Sequence, residues 1–202
     1  MKLKRNNVKR LSLQTPIRVT SVLNFFHEDW YIDWVLKVGK REANRIKKAA
    51  MKVGSEVDEI IKANIGGTYL PEKFKSDEVK NCIEAYKKWY KTYTPTTMKI
   101  GERLNLTFDG VDITGEPDIF VDDVLVDIKC ASKVSPSYWV QVNMYAFMHG
   151  GFEKVGILRL DKTTGSYEYI VQNVRQDLVS VWFGLLKAYV YYKGESDGGL
   201  SV

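Results

Sequence analysis

The stretch Gly115–Ala131, GEPDIFVDDVLVDIKCA, decides how the chain folds. Residues 116–121 and 124–129 alternate or run apolar, and Asp122-Asp123 between them fits a two-residue hairpin turn. That turn sets Val121 against Val124, Phe120 against Leu125, Ile119 against Val126, and Asp118 against Asp127. Side chains alternate faces along a strand, so Lys129 shares the face of Asp127. Two carboxylates directly opposite each other destabilise a sheet. At about 5 Å and an effective dielectric near 20 they repel by roughly 3 kcal/mol. A cation must lie between or beside them. Lys129 can be that cation in a purely structural cluster, and a bound divalent metal ion can be it in a functional one.

Outward from this hairpin the strand pattern continues on both sides. TMKIGERLNLTF and VDITGEPDIFV flank Asp109-Gly110, a strong hairpin signal, so the middle of the chain reads as a three-strand antiparallel meander. KVGILRLDKTTGSYEYIVQNV adds two strands around Thr164-Gly165. With a simple turn at Asp109-Gly110, Glu102 opposes Pro117 and points away from Asp118. A bulge at Gly115 would reverse that and bring Glu102 to the acids.

Helices surround the strands. The first half reads helical through VTSVLNFF, begun near Thr20 or Ser21, then WYIDWVLKV, then a long helix over residues 40–65 stopped by Gly66-Gly67. Residues 76–93 form another helix, with Ser76 as N-cap and acids in the first turn. Ile83, Tyr86 and Tyr90 recur there at helical spacing, a packing stripe. SPSYWVQVNMYAFMHG begins with Ser135 as N-cap and Pro136 at the first helical position. A last amphipathic helix is closed by Gly194. The expected class is α/β, a central mixed sheet of the meander plus two further strands, flanked by helices. One domain spans residues 1–202: a basic arm over 1–18, a helical portion over 20–95, a core over 96–193 and a tail over 194–202.

Composition narrows the chemistry. The 202 residues are 45% hydrophobic and 27% charged, enough for one core, with no apolar run of membrane-spanning length and no apolar signal core. Cys82 and Cys130 stand far apart without CxxC spacing, which leaves disulfide, zinc and iron–sulfur frameworks without support and fits a reducing cytoplasm. The net charge of +5 permits a polyanionic partner. It is concentrated in the first residues, where Lys9 and Arg10 belong to an all-basic arm, and again from Lys37 to Lys52. His27 and His149 read as structural.

Gln141 and Tyr145, four residues apart, share one helix face. Pro117-Asp118, an eight-residue gap, Asp127-Ile128-Lys129, and Gln141-x-x-x-Tyr145 follow in strand–strand–helix order, with Asp58 four residues after Gly54 upstream. This set resembles the PD-(D/E)XK nuclease superfamily, and within it the RecB-like branch, over about residues 20–192. The resemblance implies a restriction-endonuclease-like core and a metal-dependent DNA exonuclease of the kind that serves recombination, repair or phage DNA processing. A nicking or structure-specific endonuclease and a non-catalytic DNA-binding module are the alternatives. Asp118, Asp127 and the Ile128 carbonyl would hold Mg²⁺ or Mn²⁺, hard cations suited to oxygen ligands. Asp58, standing where the branch usually has His, and Glu102 are further candidate ligands. Lys129 would orient water or stabilise charge on phosphate oxygens. Gln141 and Tyr145 would brace Lys129 or touch the DNA backbone. Lys133, Lys9, Arg10 and Ser21 are candidate phosphate contacts. No iron–sulfur cluster is implied, and oligomer formation is left open.

Overall fold

The computed structural model describes residues 15–26 and 29–197. Lys9, Arg10 and His27 lie outside them. The element order is β1 (Ile17–Arg18), α1 (Val19–Phe25), α2 (Asp29–Val38), α3 (Lys40–Ile65), α4 (Asp77–Tyr93), β2 (Met98–Ile100), β3 (Leu104–Phe108), β4 (Val111–Gly115), β5 (Ile119–Val121), β6 (Val124–Cys130), α5 (Pro136–His149), β7 (Lys154–Leu160), β8 (Tyr167–Asn173) and α6 (Gln176–Asp197). The class is the expected α/β arrangement, with mixed sheets flanked by helices. No helix among the described residues is long and apolar enough to cross a membrane.

The helix boundaries follow the capping chemistry. Ser76 Oγ accepts from Val79 N at 3.3 Å, and Ser135 caps α5 with Pro136 in its first turn. Gly66 and Gly67 stop α3. Gly194 does not stop α6, which continues to Asp197; a glycine lowers helix propensity by about 1 kcal/mol and does not remove a hydrogen bond. At the other end, Ile17 and Arg18, read from the sequence as part of a basic arm, form β1 and pair in parallel with Ile113 and Thr114 of β4.

The hairpin quoted first has the predicted register, Ile119–Val126, Phe120–Leu125 and Val121–Val124. The meander differs from its reading. Its first two strands are each broken, at residues 101–103 and 116–118, and the pieces serve two sheets. β3 and β4 join β1 in one sheet, while β2, β5, β6, β7 and β8 lie in that order in the other. The two halves keep one register, Leu104 opposite Gly115 and Ile100 opposite Ile119, and Gly101 N donates to Asp118 O at 3.0 Å across the break. Gly101 is obligatory there, because a Cβ would overlap the Pro117 carbonyl.

β6 and β7 are parallel and joined by α5, so the helix crosses one face of the five-stranded sheet. That face carries Leu125, Val155 and Ile157 into a core with Val142, Met144, Val179 and Trp182. The opposite face carries Ile119, Val121, Val126, Leu158 and Leu160 against Val57 and Ile61 of α3 and Ile83, Tyr86 and Trp89 of α4. Tyr90, at the edge of the α4 stripe, is half exposed. Cys82 and Cys130, distant in sequence, both enter this second core and are free thiols.

Candidate active site

Alternation along β6 puts Leu125, Asp127 and Lys129 on the face covered by α5. Asp118 sits at the break just ahead of β5 and turns its carboxylate to the β6 backbone, where Oδ2 accepts from Ile128 N at 2.6 Å. α5 supplies the cover. Gln141 and Tyr145, one turn apart, both face inward and are buried. Gly115 makes room for Tyr145, since a Cβ there would stand 2.5 Å from its ring.

The polar groups close into one network. Lys129 Nζ lies 2.8 Å from Asp127 Oδ2, an ionic contact without hydrogen-bond alignment, and donates to Gln141 Oε1 at 3.2 Å. Gln141 Nε2 donates to Asp127 Oδ1 at 2.9 Å and to the Tyr145 hydroxyl at 3.2 Å. The Lys129 ammonium also stands over the Tyr138 ring, 5.1 Å from its centre. Asp127 is 1% exposed, so its carboxylate depends on these partners for solvation.

The electrostatics follow from the crowding. Burial pushes the Asp118 carboxyl from 3.8 up to about 7, the Asp127 charge adds to this, and Lys129 and the Ile128 N–H oppose it. Burial also raises Asp127, against the pull of Lys129. Burial by itself would lower the Lys129 pKa, but Asp127 and Asp118 outweigh it and hold the ammonium above its ordinary value. Tyr145 is pushed up to about 12, chiefly by burial and then by Asp127, so its hydroxyl stays protonated.

Asp58 of α3 reaches the same end of the sheet and shares an open cavity of about 480 Å³ with Asp118, Ile128 and Lys129. Its Oδ2 is 3.0 Å from Lys62 Nζ, while its Oδ1 is buried with no hydrogen-bond donor. A second cavity of about 510 Å³ meets the first at Asp118 and is lined by Arg18, Thr20, Arg103, Thr114, Gln141 and Tyr145. Thr20, not Ser21, faces it. Lys133 is exposed on the loop after β6. Arg18 and Arg103 were missed from the sequence, and only their position around the end of β4, in this second cavity, selects them.

Glu102 is not brought to the site. The bulge at Gly115 that it requires does not form; the turn at Asp109-Gly110 keeps Glu102 opposite Pro117, and its exposed carboxylate lies 4.0 Å from His149 Nε2. His149 packs on Phe120 and Phe152. Among the described residues no group of three or more His, Cys, Asp and Glu side chains is arranged to hold a metal ion. What is present fits a looser mode of binding. Two neighbouring carboxylates, Asp118 and Asp127, and a buried Asp58 Oδ1 that accepts no hydrogen bond suit a hard cation that completes its shell with water and phosphate oxygens.

No protein-family model matches the sequence, and no curated protein sequence matches it. Solved structures do match. A candidate exonuclease from Eubacterium rectale superposes with a TM-score of 0.54 at 14% identity, over 93% of this chain and 84% of that one. An alkaline exonuclease from Laribacter hongkongensis superposes with a TM-score of 0.51 at 13% identity, over 90% of this chain and 89% of that one. The chain thus has the fold of these exonucleases along most of its length.

Proposed function

We propose that the chain is a divalent-cation-dependent DNA nuclease of the PD-(D/E)XK superfamily, in its RecB-like branch, and that it acts as an exonuclease. The observation that carries this is the gathering of Asp118, Asp127, Lys129, Gln141 and Tyr145 at one end of the sheet, in a fold shared with two exonucleases. The basic net charge of +5 supports a nucleic-acid substrate.

Asp118, Asp127 and the Ile128 carbonyl would hold Mg²⁺ or Mn²⁺, with Asp58 nearby. The bound cation supplies Lewis acidity at the phosphodiester and lowers the pKa of water. The residues of the chain do the rest. Lys129 stays charged and is fixed by Asp127 and Gln141, so its N–H groups are aimed before negative charge develops on phosphate oxygens. Gln141 braces Lys129 and Asp127 together, and Tyr145 holds Gln141. Arg18 and Arg103 offer guanidinium groups to the DNA backbone, and Lys133, exposed on the loop after β6, offers an ammonium. Such an enzyme acts inside the cell, in recombination, repair or phage DNA processing.

The deciding experiment incubates the protein with end-labelled linear DNA and closed circular DNA, in Mg²⁺, in Mn²⁺ and in EDTA. Cation-dependent loss of the linear DNA alone supports the exonuclease. Cutting of the circle assigns an endonuclease, and binding without cutting in either cation assigns a non-catalytic module.

A further inference from the structure

Lys62 stands outside every motif read from the sequence, yet it faces the same acids. It lies one turn after Asp58 on α3, and its Nζ is 3.0 Å from Asp58 Oδ2 and 3.8 Å from Glu116 Oε1. Glu116, two residues before Asp118, is also met by Arg103 Nη2 at 3.5 Å. An acid four residues ahead of a lysine is the favourable order of such a helical pair. Lys62 is 23% exposed in its side chain, so solvent screens this contact only in part. The carboxylates therefore lie between two ammonium groups. Lys129 is clamped to Asp127 and Gln141; Lys62 neutralises Asp58.

We propose that Lys62 is a positioning residue that keeps Asp58 as its own counter-ion, and so holds the cation affinity of the Asp118–Asp127 site low until DNA phosphate joins it. The inference rests on the divalent-cation reading above. A dication entering beside Asp58 meets the Lys62 charge, and in a partly desolvated cleft that repulsion acts over several ångströms. Two carboxylates alone leave most of a cation's shell to water and phosphate oxygens. A freed Asp58 would add a third carboxylate and retain the cation without substrate. With Lys62 in place, cation and DNA instead favour each other's binding, and that coupling is reciprocal.

The test is calorimetric titration of DNA-free protein with MnCl₂. Lys62→Met should bind Mn²⁺ about tenfold more tightly than wild type. Lys62→Arg, which keeps the charge, should stay within about twofold of wild type, and so should the double variant Asp58→Asn with Lys62→Met, which lacks the freed carboxylate. Lys62→Gln serves in place of Lys62→Met should the latter not fold. If wild type binds Mn²⁺, Asp118→Asn abolishes that binding, and Lys62→Met binds no more tightly than wild type, the role of Lys62 is overturned while the cation site stands. If wild type and Lys62→Met both bind no Mn²⁺, the cation reading falls and this proposal falls with it.

Discussion

The two faces of the five-stranded sheet are built by different rules. Toward α4, Ile119, Val121, Val126, Leu158 and Leu160 meet Ile83, Tyr86 and Trp89 in an apolar layer. Toward α5, the same strands place Asp127 and Lys129 within a shell of apolar residues, and the helix answers with Gln141 and Tyr145. Burying an ion pair rarely adds stability, because its desolvation offsets its attraction. The apolar residues of both cores, rather than the polar cluster, hold the sheet together. The difference teaches where stability and chemistry reside: one face is replaceable by anything of the right volume, while the other requires particular groups at particular atoms.

The sharpest way to break this division is to strip the polar face. Lys129→Met should lower cleavage by on the order of 10²–10³-fold, and gel assays of turnover at saturating DNA check this against an unchanged circular-dichroism spectrum. Asp127→Ala should do the same to activity and also destabilise the protein, by about 3–5 kcal/mol, because it takes the buried carboxylate away from the Lys129 charge and the Gln141 amide. Retained cleavage by Lys129→Met would remove that residue from the mechanism.

The converse cut goes through the apolar face. Ile83→Ala should cost about 2–5 kcal/mol in urea unfolding. Its folded fraction should cleave as wild type does. A variant that loses turnover in proportion to its stability while still folded would show that the faces are not independent.

A pH series sharpens the contrast further. The carboxyl of Asp118 is raised on folding from 3.8 to about 7, so the folded state holds a proton that the unfolded state has released. The slope of stability with pH is then negative: metal-free protein should lose stability as pH rises from about 4 to about 7, and level off above that. Asp118→Asn should flatten this slope, as measured by urea unfolding at pH 5 and pH 8. Added Mn²⁺ should raise the midpoint at pH 8 in wild type only.

The smallest effect belongs to Tyr145→Phe. It removes one hydrogen bond to Gln141 and nothing from the apolar packing, so about 1 kcal/mol of stability is at stake. Turnover should fall modestly, and a loss as large as that of Lys129→Met would make Tyr145 a direct participant.

Local patterns were legible and long-range meetings were not. Register over Ile119–Val126, the caps at Ser76 and Ser135 and the shared face of Asp127 and Lys129 follow from two-residue turns and strand alternation, which are properties of neighbours in sequence. The pairing of Gln141 and Tyr145 on one face was equally local. The break at Gly101 and Pro117 was hidden, because alternation continues through it and only close backbone approach demands it. β1 was hidden because two residues carry no period. Lys62, Arg18 and Arg103 were unreadable for a further reason: isolated basic residues look alike in sequence until the fold decides which of them face an acid or a cavity.

The unbroken register across the two sheets has a genetic consequence. The β3–β4 ribbon reaches Asp118 by counting residues from the Asp109-Gly110 turn, two at a time, one from each strand. Matched insertions of two residues in each strand lengthen the ribbon and leave every side chain on its face. A single inserted residue in either strand carries Leu104, Leu106 and Ile113 out of step with one another, and turns the backbone that delivers Asp118. Variation in this region should therefore come as altered turns at the tip or as even-numbered steps along the strands, with odd steps excluded.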